Sequence, residues 1–211
     1  MDIITIDTRR LSLFDMTRFQ SVISAERAKK AINYRRDEDR RTCICAEGAL
    51  RIYLGEKLGI DPAALEIKIA PSGKPYLPGE GDAVPQFNYS HSGPFVLIGV
   101  DPARGIGVDI EQMKKAPFDI CRKFCTPAER EYVGEDSARF FEVWTLKEAY
   151  LKATGEGLSG GLLSVEFTFP DGKPVCSDKN TVCRTIRDKD GQYIAAAIIR
   201  LPPHSKNNGF D

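Results

Sequence analysis

The tightest constraint on how this chain can fold is a faint internal repeat. Ser72-Gly73-Lys74-Pro75 returns as Asp171-Gly172-Lys173-Pro174, with Gly172 lying 99 residues after Gly73. The segments around the two turns come in the same order. Residues 2–8 alternate apolar and polar about Ile4 and Ile6, the pattern of a half-buried strand, and residues 107–111 form a second such strand. Helices follow each. Ser24 is placed to cap a helix through Asn33, and a longer one is predicted over residues 37–58, with Ala46, Leu50, Leu54 and Leu58 inward and Gly59 as its stop. In the second half Thr126-Pro127-Ala128-Glu129 joins a cap, a first-turn proline and a capping-box glutamate, ahead of a long helix around Trp144. Strands are then expected at residues 65–70 and 165–169, each running into its Gly-Lys-Pro turn. Residues 87–89 and 95–100 read as a hairpin with Ser90-His91-Ser92-Gly93 as its polar bend, and residues 193–199 match 95–100. The expected fold is α+β: two similar α+β subdomains related by pseudo-twofold symmetry, residues 1–102 and 103–200, with 201–211 as a loose tail.

Composition narrows the function classes. A chain of 211 residues, 42% apolar and 28% charged, can bury a sizeable core as an ordinary globular protein. Thirty basic against thirty acidic residues leave no overall field, so neither nucleic acid nor a membrane surface is an expected partner. An anion site must come from a local cluster. Arg27, Lys29, Lys30, Arg35, Arg36, Arg40 and Arg41 form one, although solvated surface is the ordinary meaning of such a run and a second reason is needed. Six cysteines contain no C-x-x-C pair, and His91 and His204 do not fall at zinc-finger spacing. Cys43 and Cys45 lie in an apolar helical run and read as small buried hydrophobes. With no signal peptide and no apolar run of transmembrane length, a cytoplasmic protein with reduced thiols is expected.

Two stretches carry chemistry. On the helix around Trp144, residues Phe140, Val143, Trp144 and Leu151 recur at core-facing spacing, Ser137 is the expected N-cap, and Gly155 with Gly157 end it. Glu148 and Lys152 lie one above the other, with Thr145 and Phe141 above them and Lys147 beside. Alone, that pair is a solvent-exposed helix pair. Forty residues upstream, Asp109 and Glu111 share one strand face while Ile110 points into the core. Adjacent carboxylates repel and call for a cation, and hard oxygen ligands without imidazole or thiolate suit Mg2+. Glu148 adds a third carboxylate, flanked by lysines suited to phosphate.

Taken together, G-V-D-I-E at 107–111, W-T-L-K-E-A-Y-L-K at 144–152 and G-E-G-L at 155–158 closely resemble the 4′-phosphopantetheinyl transferases, of the monomeric type that activates surfactin synthetase. N-Y-S-H-S-G at 88–93 and Gly73-Lys74-Pro75 resemble that family's coenzyme-A-binding segments. The resemblance implies Mg2+-dependent transfer of the phosphopantetheine arm of coenzyme A to a serine of an apo-acyl or peptidyl carrier protein, releasing adenosine 3′,5′-bisphosphate. It implies Asp109, Glu111 and Glu148 as metal ligands, Lys147 and Lys152 against the diphosphate, and Glu148 and Lys152 in catalysis. It also implies Gly73, Lys74, Pro75, Ser90 and His91 around the nucleotide, with Arg27, Lys30 and Thr42 aligned through a one-residue gap between Lys30 and Thr42 that lets Arg36 or Arg41 replace one of these. A coenzyme-A-binding or carrier-docking module and a Mg2+-dependent phosphohydrolase are the competing readings.

Overall fold

A computed structural model describes residues 1–79, 84–155 and 161–202. The expectations for Glu156, Gly157 and Leu158 of the G-E-G-L motif, and for His204 and the tail from 203 on, lie outside the described residues.

The first half runs β1 (Asp2–Asp7), α1 (Leu13–Gln20), α2 (Ala25–Ile32), α3 (Asp37–Leu58), β2 (Lys68–Ile69), β3 (Pro75–Tyr76), β4 (Gln86–Ser92) and β5 (Phe95–Asp101). The second runs β6 (Ile106–Gln112), α4 (Pro127–Val133), α5 (Ser137–Thr154), β7 (Phe167–Thr168), β8 (Val175–Cys176), β9 (Thr181–Arg187) and β10 (Tyr193–Arg200). Each half forms a three-stranded antiparallel sheet, in the order β1-β5-β4 and β6-β10-β9, plus a two-stranded ribbon across its Gly-Lys-Pro turn. The fold is α+β with two similar halves.

Alternation along β5 explains how the halves join. Val96, Ile98 and Val100 pack under α3 with Cys45, Ala46, Leu50 and Leu54, whereas Phe95 and Leu97 turn to Ile106, Val108 and Ile110 of β6. The two sheets therefore share an apolar seam, and α3 and α5 cover their outer faces. On β6 the residues between, Gly107, Asp109 and Glu111, face α5. Gly107 is a packing requirement: a Cβ there would stand 2.0 Å from the Ala149 carbonyl oxygen and 2.3 Å from the Ala153 nitrogen. That close approach sets the carboxylates of β6 beneath the last turns of α5.

Several local expectations are met. Ser24 caps α2, the Thr126–Glu129 capping box opens α4, and Gly59 and Gly155 end α3 and α5 in the left-handed conformation. Others are corrected. The hairpin bend is only Gly93-Pro94, so Ser90 and His91 lie within β4; Gly93 at φ 53° makes the tight turn. Asp136, not Ser137, caps α5, accepting from the N–H groups of Ala138 and Arg139, while Ser137 Oγ accepts from Ala116 N–H. Helix α1, with its Ser12–Asp15 capping box, and edge strand β9 were not anticipated.

Candidate active site

Strand β4 carries polar residues on both faces, and each face builds one wall of a site. Toward β6, Asn88 Oδ1 accepts from Val108 N–H at 2.9 Å, Ser90 Oγ donates to Asp109 Oδ1 at 2.7 Å, and Ser92 Oγ donates to Glu111 Oε2 at 2.7 Å. Side chains two apart thus lace the two sheets together where no backbone ladder joins them. From above, Lys152 Nζ reaches Asp109 Oδ1 at 2.6 Å and donates to Ser90 Oγ at 3.1 Å. Among the described residues, Trp144, Glu148 and Lys152, four apart, form a half-exposed stripe on a helix otherwise largely buried.

Electrostatically the carboxylates are crowded. Burial raises the pKa of Glu148, and the charges of Asp109 and Glu111 add to it against Lys152. Burial likewise raises Glu111, helped by Asp109 and opposed by the hydrogen bond from Ser92. Asp109 Oδ2 is buried with no hydrogen-bond partner among the described residues, an orphaned acceptor of the kind a folded protein ordinarily satisfies. An orphaned carboxylate oxygen beside two carboxylates that resist ionisation is the donor chemistry of a hard divalent cation. Among the described residues no group of three or more His, Cys, Asp or Glu side chains is placed to hold a metal ion. Asp109 is held by Ser90 and Lys152, and Glu111 by Ser92.

A cleft of about 480 Å³ opens beside these groups, lined by Ser72, Gly73, Lys74, Tyr89, Glu148 and Lys152 among others. Lys74 does not project into it freely. Its Nζ donates to the carbonyls of Lys152 (2.8 Å) and Ile106 (3.0 Å), tying the Gly-Lys-Pro turn to the end of α5, and burial pulls its pKa down to about 8. Gly73, at φ 83°, supplies the left-handed residue of that turn. On the other side of Tyr89 lies a smaller cavity of about 180 Å³, with Pro75, Arg27, Lys30, Glu47 and Arg51 on its walls. His91, on the same face of β4 as Tyr89, is exposed. Protein packed round the ring lowers its pKa first, then the charges of Arg27, Lys30 and Lys152, against Asp39. Charges on both α2 and α5 therefore act on one imidazole.

Two anticipated ligands are placed elsewhere. Lys147 is fully buried: its Nζ pairs with Glu129 Oε2 at 2.8 Å and donates to the carbonyls of Leu162 and Val165, both at 2.7 Å. One residue along a helix is about 100° of rotation, so the neighbour of Glu148 faces away from the cleft. Thr42 is also buried, its hydroxyl bonded to the Glu38 and Gly93 carbonyls, where it holds the β4–β5 turn against α3. Conversely, Asn88, Tyr89, Ser92 and Glu47 were missed. Alternation along N-Y-S-H-S would have revealed the first three; Glu47, from α3, had no sequence signal.

Comparison with known proteins gives the family. The model for the 4′-phosphopantetheinyl transferase superfamily matches residues 105–198, and that for the 4′-phosphopantetheinyl transferase N-terminal region matches residues 12–103. A 4′-phosphopantetheinyl transferase of Bacillus subtilis is 31% identical over 209 residues, covering 92% of this chain and 89% of its own. The chain belongs to the 4′-phosphopantetheinyl transferase superfamily. Other relatives are 4′-phosphopantetheinyl transferase Sfp of Bacillus subtilis strain 168, at 30% over 156 residues (72% of this chain, 68% of that protein), and HetI of Nostoc sp., at 33% over 150 residues (66% and 62%). Among solved structures, the Helicobacter pylori holo-[acyl-carrier-protein] synthase in complex with coenzyme A aligns with a TM-score of 0.39 and 19% identity, over 45% of this chain and 98% of that one. Within this superfamily member, the two matched regions meet in the connection between β5 and β6, and the laced strands β4 and β6 come one from each.

Proposed function

We propose that this enzyme transfers the 4′-phosphopantetheine arm of coenzyme A to a serine of an apo-acyl or peptidyl carrier protein, releasing adenosine 3′,5′-bisphosphate. The observation that carries the reading is the convergence of Asp109, Glu111, Glu148 and Lys152 beside one cleft, with Arg27 and Lys30 lining a second cavity on the other side of Tyr89. In this reading residues 1–102 bind the nucleotide, residues 103–200 hold the reacting diphosphate, and the protein acts in the cytoplasm as a monomer.

The roles follow from position. Asp109, Glu111 and Glu148 would hold Mg2+, whose chemistry when bound is charge neutralisation at the diphosphate. Lys152, kept over Asp109 and Ser90, meets negative charge as the phosphorus–oxygen bond to the leaving adenosine bisphosphate breaks. Glu148 faces the cleft with a pKa raised by burial, which makes it the better base for the proton of the attacking serine. Tyr89 stands between the two cavities, with Pro75 on the wall of the smaller and Gly73 on the wall of the cleft, and Lys74 fixes the Gly-Lys-Pro turn to α5. Arg27, Lys30, Ser90 and His91 complete the nucleotide contacts.

The test is coenzyme A consumption with and without apo-carrier. Turnover that requires the carrier supports transfer. Turnover without it would mean hydrolysis, and binding without turnover would mean a docking module.

A further inference from the structure

Glu47 is a carboxylate on the wall of a cavity read as anion-binding, where a negative charge opposes the ligand. Its contacts explain why it is there. Glu47 Oε1 accepts from Arg51 Nε at 2.8 Å and from the Ser24 backbone N–H at 2.8 Å, and Oε2 accepts from Arg27 Nε at 2.9 Å. Arg51 is itself buried and anchored to the carbonyls of Leu65 (2.9 Å) and Pro62 (3.2 Å). The carboxylate is therefore held by α3 and the N-cap of α2 together, and it grips Arg27 from behind.

A guanidinium has five N–H donors in a fixed plane. On Arg27, Nε faces Glu47, one N–H of Nη1 faces Cys43 Sγ at 3.7 Å, and one N–H of Nη2 faces the Tyr89 hydroxyl. Among the described residues two donors remain, one on each terminal nitrogen, on a residue that lines the cavity with Lys30. Glu47 on Nε fixes the plane; Tyr89, with its ring 5.6 Å from the Arg27 carbon, fixes the rotation. A planar fork held in this way suits the tetrahedral oxygens of a phosphate monoester better than a mobile lysine does.

We infer that Glu47 is the positioning residue that orients Arg27 for the 3′-phosphate of coenzyme A, and so sets the preference for coenzyme A over its 3′-dephospho form. The inference rests on the proposed transferase reading and assigns Glu47 no contact with substrate.

The experiment measures KM and kcat of wild type and Glu47→Gln with coenzyme A and with 3′-dephospho-coenzyme A, alongside calorimetric binding of adenosine 3′,5′-bisphosphate and 5′-AMP. Wild type should prefer the 3′-phosphorylated ligands by about tenfold or more, the equivalent of one charge-assisted hydrogen bond. Glu47→Gln should bring that preference to within about threefold of unity, raise KM for coenzyme A by about tenfold and leave kcat within about twofold. A purely structural glutamate would weaken both ligands alike. Glu47→Asp keeps the charge between the two arginines, and hence the fold, while withdrawing the carboxylate by one methylene; should the glutamine variant not fold, loss of preference in the aspartate variant decides the matter. A wild-type preference that survives in the variant would overturn the role of Glu47 alone. No preference in wild type would overturn the 3′-phosphate reading and the inference with it, and carrier modification by the same wild-type protein shows separately whether the transferase reading stands.

Discussion

Lys147 and Lys152 stand five residues apart on α5, and the rotation between them sends one ammonium inward to Glu129 and the other to Asp109 beside the cleft. Their removal should have opposite consequences. Lys147→Met leaves Glu129 as a fully buried charge without its partner, which costs about 3–5 kcal/mol of stability, with KM for coenzyme A unchanged in the molecules that remain folded. Urea unfolding and steady-state kinetics check both halves. An unchanged midpoint with a raised KM would return Lys147 to the diphosphate. Lys152→Ala should instead lower kcat by about a hundredfold or more, with little loss of stability, because the lysine is part-exposed. His91 gives a pH signature. In the free protein its pKa lies below the usual value, for the packing and charge reasons given above, and Arg27, Lys30, Lys152 and Asp39 are the charges that face it. A bound phosphate would raise it, so binding takes up a proton. Affinity is then greatest below the free-state pKa and is lost as pH rises through the bound-state pKa. The KM for coenzyme A should climb in wild type as pH rises through the bound-state pKa of His91, and less steeply in His91→Ala; parallel slopes would remove His91 from the phosphate site. Residue-level chemistry was legible where a strand's strict alternation governs it, as for Asp109, Ile110 and Glu111. It failed for Lys147, because a lysine beside the Glu148–Lys152 pair carries no mark of facing a buried glutamate from another helix.

Elements were legible where local rules suffice. The span and stop of α3, the cap of α2 and the capping box of α4 depend on neighbours in sequence, and they stand as read. Helix α5 did not behave as an amphipathic surface helix. It is packed against β6 and β10 on one side and the Phe118–Phe124–Phe140 cluster on another, so Phe141, Thr145 and Lys147 are buried and only a narrow stripe remains. Nothing in a helical period distinguishes these cases, since enclosure comes from elements distant in sequence. Strand β9 was missed for a related reason: as an edge strand it keeps Val182 54% exposed and lacks a clean apolar face. The contact that positions the site is between elements, where β6 passes under α5 at Gly107. Gly107→Ala should destabilise the protein by about 1–3 kcal/mol or more, since both clashing atoms are backbone. It should also lower kcat, because α5 must move away from Asp109. Full stability and activity in that variant would show that the close approach does not set the geometry.

At the scale of the molecule the repeat survives in detail. Arg51 on α3 donates to the carbonyls of Pro62 and Leu65, and Lys147 on α5 donates to those of Leu162 and Val165, each pair three residues apart in the segment after its helix. A buried cation pins the same segment in both halves. The chemistry has not survived twice. Counted from the start of the central strand, where Phe95 pairs with Asp7 and Tyr193 with Gln112, Ile4 and Ile6 occupy the places of Asp109 and Glu111. One fold repeated therefore supplies a single carboxylate set, and calorimetry should find one coenzyme A site per chain. The order of elements was legible from the paired Gly-Lys-Pro turns; the lacing of β4 to β6 was not, because it joins residues whose partners belong to different sheets. Transfer at this junction is tested most directly by intact-mass spectrometry of an apo-carrier protein incubated with coenzyme A, Mg2+ and the enzyme. The expected result is a carrier heavier by one phosphopantetheine group on its serine, adenosine 3′,5′-bisphosphate in equal amount, and neither product with Asp109→Ala. An unmodified carrier, or coenzyme A cleaved as fast in its absence, would contradict it.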